Sequence, residues 1–364
     1  MTEQLPSGPR SPVVCFTSFT FGYLGRARVL AKSVKRFHPA WRFIALISDL
    51  PPAGFDFDPS HEPFDHIVWG HELPIPAISS WIFKHDLVEL CTAVKGPMLE
   101  LLLERGIEKV VYLDPDIAVF APLDPIVEEL DGSSIVLTPH QVDPEVGEMA
   151  IFDNEVTALR HGAYNLGFVA VRNDEIGKGF AAWFADRLRS YCYDELDRGI
   201  FVDQKWCDLV PAFFDRVKIL RDPGYNVASW NISQRRLKAD SHGALFVNGQ
   251  TLRFFHFTKL GPIGAMMTER YAGELLVHEI WGWYRRSVQA ATPVGLDSGW
   301  WHYGRFENSD PIATEARRLY RSQPDFRERF PEPFAVGRGT YHDWLRTEAV
   351  PGGEMLSEVA RLGS

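Results

Sequence analysis

Short unbroken apolar runs alternate along this chain with longer stretches in which apolar residues recur every three or four positions, and that alternation predicts strands followed by helices. Residues 13–16 form the first run, a buried strand, and Thr17-Ser-Phe-Thr-Phe-Gly22 reads as the loop after it. Ala27, Leu30, Val34 and Phe37 then share one face, with Arg26, Arg28, Lys32, Lys35 and Arg36 on the remainder, so a helix is expected over 23–37. His38-Pro39 stops it, and 43–47 is a second strand ending at Ser48-Asp49. This strand–helix–strand opening calls for a mostly parallel α/β sheet with its ligand, a nucleotide, at the carboxyl ends of the strands.

The pattern continues with a loop over 50–64 and helices over 84–94 and 98–104 separated by Gly96-Pro97. Strands follow at 110–113, 135–138, 168–171, 217–220 and 252–257, and helices at 123–130 and 176–188. Residues 140–164 have no clean period and read as a mobile or substrate-covering loop. From about Met266 the texture changes to helices over 268–288, carrying Trp281 and Trp283, and 312–320, with Trp- and Gly-rich loops between and no obvious strand. The expected organisation is a disordered tail over 1–11, an α/β domain over 12–265 and a helical C-terminal addition over 266–364.

Composition narrows the choices. Hydrophobic residues at 45% and charged residues at 24% are ordinary globular values. A net charge of −10 argues against broad nucleic-acid binding and against an electrostatic hold on anionic lipid. Cys15, Cys91, Cys192 and Cys207 are far apart, without metal or CxxC spacing, and read as reduced buried thiols. With no signal-like apolar core in the opening residues and no apolar run of about 18 residues, the chain reads as cytoplasmic. Aromatic residues, 11 of them Trp, are frequent enough to ask whether some line a binding surface.

The strongest chemical signal is Asp114-Pro115-Asp116 at the end of the apolar run 110–113. Positions i and i+2 of an extended chain point the same way, and Pro115 holds the residue before it extended. Two such carboxylates suit Mg²⁺ or Mn²⁺, hard ions that take oxygen ligands and share a diphosphate. The plain alternative is a solvated turn after a core strand. Neither GxGxxG nor GxxxxGK[ST] is present, which argues against the common dinucleotide and P-loop grips.

Taken in order, Tyr112-Leu-Asp-Pro-Asp-Ile117, Tyr164-Asn-Leu-Gly-Phe168, Phe201-Val-Asp-Gln-Lys-Trp206 and Phe255-His-Phe257 resemble the GT-A glycosyltransferases of family 8, the glycogenin and bacterial galactosyltransferase type, over roughly residues 12–262. The resemblance implies a GT-A fold, Rossmann-like with a mixed, mostly parallel sheet flanked by helices. It also implies metal-dependent transfer of a hexose from a nucleoside-diphosphate sugar, UDP-hexose above all, to an acceptor hydroxyl with retention of configuration. Asp114, Asp116 and His256 would hold Mn²⁺ or Mg²⁺. Thr17, Ser18 and Tyr23 would meet base and ribose; Lys95, Asp114, Lys259 and Gly261 the donor phosphates; Asn165 and Gly167 the donor sugar; Asp203 and Gln204 would act at the anomeric carbon. One departure is that Gly261 is followed by Pro-Ile-Gly-Ala rather than by the family's usual Lys-Pro-Trp ending.

Each residue also has a bland reading: a satisfied core histidine for His256, a turn for Asn165 and Gly167, a helix cap for Asp203 and a helix-face lysine for Lys95. The acceptor would be a carbohydrate, a lipid-linked sugar or a small molecule, and the C-terminal addition would bind it, mediate a homo-oligomer, or simply pack its Trp residues on the main domain. Rival readings are a haloacid-dehalogenase-like phosphatase with Asp114 as nucleophile, a sugar nucleotidyltransferase hinted at by Gly22-Tyr-Leu-Gly-Arg26, and an inactive nucleotide-sugar-binding module.

Overall fold

The computed structural model describes residues 13–348 with the exception of Lys259, so the expected tail over 1–11, the end of the C-terminal addition and Lys259 lie outside the described residues. The first unit is β1 (Val13–Phe19), the helix Leu24–Phe37 and β2 (Arg42–Ile47), followed by β3 (His66–Trp69). β4 (Lys109–Leu113) pairs parallel with β1 on its other side. β5 (Ile117–Val119), β6 (Ile135–Pro139), β7 (Tyr164–Arg172), the short hairpin β8 (Asp194–Glu195) and β9 (Ile200–Phe201), and β10 (Val217–Ile219) follow in the chain.

Seven of these strands form one sheet in the order β10-β6-β7-β4-β1-β2-β3. All its pairings are parallel except those of β7, which runs antiparallel to both β4 and β6. This is the mixed, mostly parallel sheet that the opening alternation calls for. Both faces are covered, which is why its strands are continuously apolar. Val14, Phe16, Ile44, Leu46, Val110 and Tyr112 point to the side of the helices Lys95–Glu104 and Glu175–Tyr191. Their neighbours Cys15, Phe43, Ala45, Val111 and Leu113 point to the side of Leu24–Phe37 and Asp124–Gly132.

A second, smaller sheet creates the site. After β4 the chain turns through Asp114-Pro115-Asp116 and leaves the main sheet as β5, which pairs antiparallel with β15 (Phe254–His256) beside β11 (Val227–Ala228). Between these last two lies a three-stranded meander of β12 (Leu237–Ala239), β13 (Leu245–Val247) and β14 (Gln250–Thr251). In this register His256 stands opposite Ile117, one residue from Asp116.

Several expected elements differ. Residues 140–164 are not a loop throughout: Glu148–Ala150, a π-helical Ile151–Val156 and Thr157–His161 run on as one helical segment. Its apolar residues Met149, Phe152 and Leu159 face solvent, so the segment lacks the buried stripe by which a helix is recognised. Gly96-Pro97 does not separate two helices but sits in the first turn of Lys95–Glu104, where a missing N–H costs nothing. A Cβ on Gly96 would lie 2.8 Å from the Ala185 Cα, so glycine is what lets this helix press against Glu175–Tyr191. The long helix expected over 268–288 breaks near Ala272-Gly273 into Pro262–Tyr271 and Leu275–Ala291.

Leu275–Ala291 packs along the helix Leu24–Phe37, burying Val277, Ile280, Trp281 and Tyr284 against Phe255 and Phe257 while Trp283 stays partly exposed. A separate aromatic cluster of Tyr320, Phe326, Phe330, Tyr341 and Trp344 closes around Phe83. Among the described residues no helix is long and apolar enough to cross a membrane.

Candidate functional site

Where β4 ends, the Asp114 N–H donates to the Gly167 carbonyl at 2.8 Å and its own carbonyl accepts from the Ile117 N–H at 3.0 Å, a turn that presents both carboxylates together. His256 Nε2 lies 3.0 Å from Asp116 Oδ1 and 3.6 Å from Asp114 Oδ2. One donor atom from each of the three residues lies within 4.8 Å of the others. Burial lowers the proton affinity of His256, but Asp116 and Asp114 outweigh it and hold the imidazolium above the ordinary histidine range. Asp116 is pushed up by burial and pulled down further by His256 and Arg26, so it stays ionised. Two carboxylates and an imidazole are a donor set that Mn²⁺ or Mg²⁺ can take.

Lys95, in the first turn of Lys95–Glu104, is 5% exposed and reaches two carboxylates: Asp203 Oδ2 at 2.8 Å and Asp114 Oδ1 at 3.1 Å. It also donates to the Leu166 carbonyl at 3.1 Å and lies over the Tyr112 ring. Burial works against its charge, and the two carboxylates reverse that, holding the ammonium well above the usual lysine range. Burial raises the Asp203 carboxyl, with Lys95 the main opposing influence. Tyr112 donates to Asp114 Oδ1 at 2.5 Å. Just before Asp203, Val202 has φ 38°, a left-handed conformation that a β-branched residue adopts only under strain of about 1–3 kcal/mol.

A chain of amides ties these pieces together. Gln204 Oε1 accepts from Asn165 Nδ2 at 3.1 Å and from the Leu166 N–H at 3.3 Å, while Gln204 Nε2 donates to the His161 carbonyl at 3.1 Å. Asn165 Oδ1 accepts from the Gly167 N–H at 3.1 Å and from Asn226 Nδ2 at 3.0 Å. Asn226 Nδ2 also donates to Thr138 Oγ1 at 2.8 Å, which turns Asn226 Oδ1 toward His256 Nδ1, 3.2 Å away. Asn165 therefore spends its amide on protein partners, and Gly167 makes room for His256.

Thr17 and Ser18 are buried in the second half of β1, which extends through the expected loop to Phe19. The Ser18 hydroxyl donates to the Cys91 carbonyl at 2.8 Å; the Thr17 hydroxyl has no hydrogen-bond partner among the described residues. Tyr23 lies under the Arg26 guanidinium, 4.0 Å from ring to Cζ. Gly261 is exposed at the start of Pro262–Tyr271. Sequence reasoning missed Arg26, Tyr112, Asn226 and Trp230, the last of these edge-on to His256 with ring centres 5.1 Å apart. Tyr112 was within reach, since it sits two residues before Asp114 on the same side of the strand.

No family model matches the chain. Two curated relatives from Bacillus subtilis (strain 168) are similar: uncharacterized protein YfnF, 27% identical over 175 residues, covering 48% of this chain and 57% of that protein, and uncharacterized protein YfnD, 26% identical over 205 residues, covering 54% and 63%. The chain thus spans less than two thirds of either relative. Among solved structures, it is similar to the galactosyltransferase LgtC in complex with donor and acceptor sugar analogs, at 15% identity and TM-score 0.46, covering 78% of this chain and 97% of that one. The bifunctional glycosyltransferase WbbM follows at 12% identity and TM-score 0.43, covering 76% and 52%. The glycosyltransferase GlyE of Streptococcus pneumoniae TIGR4 has 16% identity and TM-score 0.39, covering 77% and 64%. These structural neighbours are glycosyltransferases.

Proposed function

We propose that this protein is a metal-dependent glycosyltransferase that moves a hexose from a nucleoside-diphosphate sugar, a UDP-hexose first among them, to an acceptor hydroxyl with retention of configuration. The observation that carries this reading is the convergence of Asp114, Asp116 and His256 beside the buried Lys95–Asp203 pair. The motif order Asp114-Pro-Asp116, Asn165-Leu-Gly167, Asp203-Gln204 and His256 supports it.

Asp114, Asp116 and His256 would hold Mn²⁺ or Mg²⁺, which supplies Lewis-acid charge to the departing nucleoside diphosphate. Lys95, fixed between Asp114 and Asp203, adds a buried positive charge that needs no reorganisation as negative charge builds on the leaving group. Thr17, Ser18 and Tyr23 are assigned to base and ribose, and Lys259 and Gly261 to phosphate. The acceptor oxygen forms its bond to the anomeric carbon on the face from which the phosphate oxygen departs, and the departing phosphate takes the acceptor proton. Gln204 stabilises the cationic sugar, with Asp203 orienting it, and because the departing phosphate takes the proton no separate base is required. The reaction would proceed in the cytoplasm, on a carbohydrate, lipid-linked or small-molecule acceptor.

The test is calorimetric titration of UDP, GDP, CMP and dTDP into the purified protein with Mn²⁺ and with EDTA, repeated on Asp116→Ala. Metal-dependent binding of one nucleotide, lost in the variant, supports the donor site and names the donor class. Binding of none, or binding indifferent to metal and to Asp116, overturns the reading.

A further inference from the structure

Asp116 divides its two oxygens between two cations. Oδ1 faces His256, and Oδ2 lies 3.9 Å from a guanidinium nitrogen of Arg26. At that distance the guanidinium is paired by charge rather than locked by a short bidentate hydrogen bond. Asp116 is the one carboxylate within ion-pair reach of Arg26 among the described residues. Arg26 is held in place by its stack on Tyr23, keeps 21% of its side chain exposed, and sits in the first turn of Leu24–Phe37, a helix whose first turn carries no acidic residue. The positive end of that helix adds to the positive potential around Arg26.

A second group converges on this spot from the C-terminal region. Tyr284, on the helix Leu275–Ala291, is fully buried with its ring stacked on Phe257 at 3.8 Å, and the backbone N–H of Phe257 donates to the Asp116 carbonyl. The Tyr284 hydroxyl has no hydrogen-bond partner among the described residues. Burial, and after it the charge of Asp116, hold the Tyr284 hydroxyl well above the usual tyrosine range, with Arg26 acting against them. A buried hydroxyl without a partner costs stability unless a ligand or water completes it.

We propose that Arg26 and the Tyr284 hydroxyl are diphosphate-binding groups of this site, which makes the C-terminal helix part of the donor pocket. The inference rests on the sugar-transfer reading and deepens it. Without ligand, Arg26 shares Asp116 with His256. With that carboxylate given over to a divalent ion, the guanidinium would be free to meet the phosphate oxygens, which its planar fork fits, and the Tyr284 hydroxyl would donate beside it.

The test measures two affinities with opposite expectations. Mn²⁺ alone, and then the nucleoside diphosphate that binds the wild type under saturating Mn²⁺, are titrated into wild type, Arg26→Gln, Arg26→Lys and Tyr284→Phe, with thermal melts confirming that each is folded. In Arg26→Gln the diphosphate should bind about tenfold or more weakly, the loss of a charge-assisted contact, while Mn²⁺ alone binds as well as before or better, because a competing cation has gone. Arg26→Lys should recover part of the diphosphate affinity, and Tyr284→Phe should lose a smaller factor of the same kind. Unchanged diphosphate binding in Arg26→Gln, or parallel loss of Mn²⁺ and diphosphate, overturns the proposal while the sugar-transfer reading stands. A wild type that binds no nucleoside diphosphate overturns both.

Discussion

The imidazole of His256 occupies the space that any side chain at position 167 would need: a Cβ on Gly167 would lie 2.3 Å from His256 Cε1 and 2.7 Å from Nδ1. Both are ring atoms of a buried side chain whose Nε2 faces Asp116, so the ring cannot yield without leaving the carboxylates. Gly167→Ala should cost about 1–3 kcal/mol of stability through overpacking. It should also weaken Mn²⁺ binding by roughly tenfold or more, as misplaced ligands do. Denaturant unfolding and Mn²⁺ titration check the two effects. Undiminished Mn²⁺ affinity in a folded Gly167→Ala protein would remove His256 from the ligand set.

Asn226 sets which nitrogen of His256 is free. Its Oδ1 accepts from His256 Nδ1, so the Nδ1 proton is fixed there and, in the neutral ring, the Nε2 lone pair is aimed at the two carboxylates. Asn226 has φ 50°, a conformation that asparagine and glycine tolerate and most residues do not. Asn226→Gly keeps the backbone and deletes the amide. The expected result is a folded protein, less stable by about 1–3 kcal/mol, with Mn²⁺ affinity reduced about 10–100-fold by loss of the orienting hydrogen bond. Asn226→Ala adds backbone strain and should be the less stable of the two, which unfolding curves will show.

The difference between Asp114 and Asn226 shows what a sequence discloses of such a site. Asp114, Asp116 and the apolar run before them are legible because their geometry is local: two residues, one extended chain, one strand end. The strand carrying His256 is legible for the same reason. Asn226 is not. Its work depends on partners 30, 61 and 88 positions away. Arg26 is hidden differently, since the helix period puts it on the polar face and only the later return of β5 and Leu275–Ala291 brings Asp116 and Tyr284 against that face. The helical segment before β7 escapes because its apolar residues point outward, so the burial that gives a helix its period never acts on it.

Lys95 and Asp203 form a buried pair that should cost more to break than to remove together. Asp203 is 2% exposed, and its opposing charge is Lys95. Lys95→Met should destabilise the protein by roughly 3–5 kcal/mol, because it leaves a buried carboxylate uncompensated. Adding Asp203→Asn to that variant should restore part of the loss, since the more buried of the two carboxylates that Lys95 faces is then uncharged while Asp114 keeps its charge. A double-mutant cycle from denaturant unfolding measures this coupling. Additive losses would mean that the two side chains do not depend on each other.

Asp49 predicts how the protein responds to pH. At the end of β2 its carboxylate accepts from the Phe21 N–H at 3.2 Å and from the His302 N–H at 2.8 Å, which joins the loop after β1 to the C-terminal region. The Trp300 indole N–H donates to the Leu50 carbonyl at 2.8 Å and strengthens the same junction. Burial pushes the Asp49 carboxyl up to about 7 despite these N–H donors, of which His302 acts most strongly. In the unfolded chain it would titrate near the ordinary aspartate value of about 3.9. The folded protein thus binds this proton more tightly than the unfolded one, and the linked stability is full below pH of about 4 and lost as pH rises toward and through 7. Asp49→Asn cannot ionise, although its amide forfeits one of the two N–H contacts at about 1 kcal/mol. The stability of wild type minus variant, measured by unfolding from pH 4 to pH 8, should therefore fall with rising pH by a few kcal/mol in total. A difference that stays flat, or that rises with pH, would mean that Asp49 is charged in the folded protein throughout, and that its N–H partners outweigh its burial.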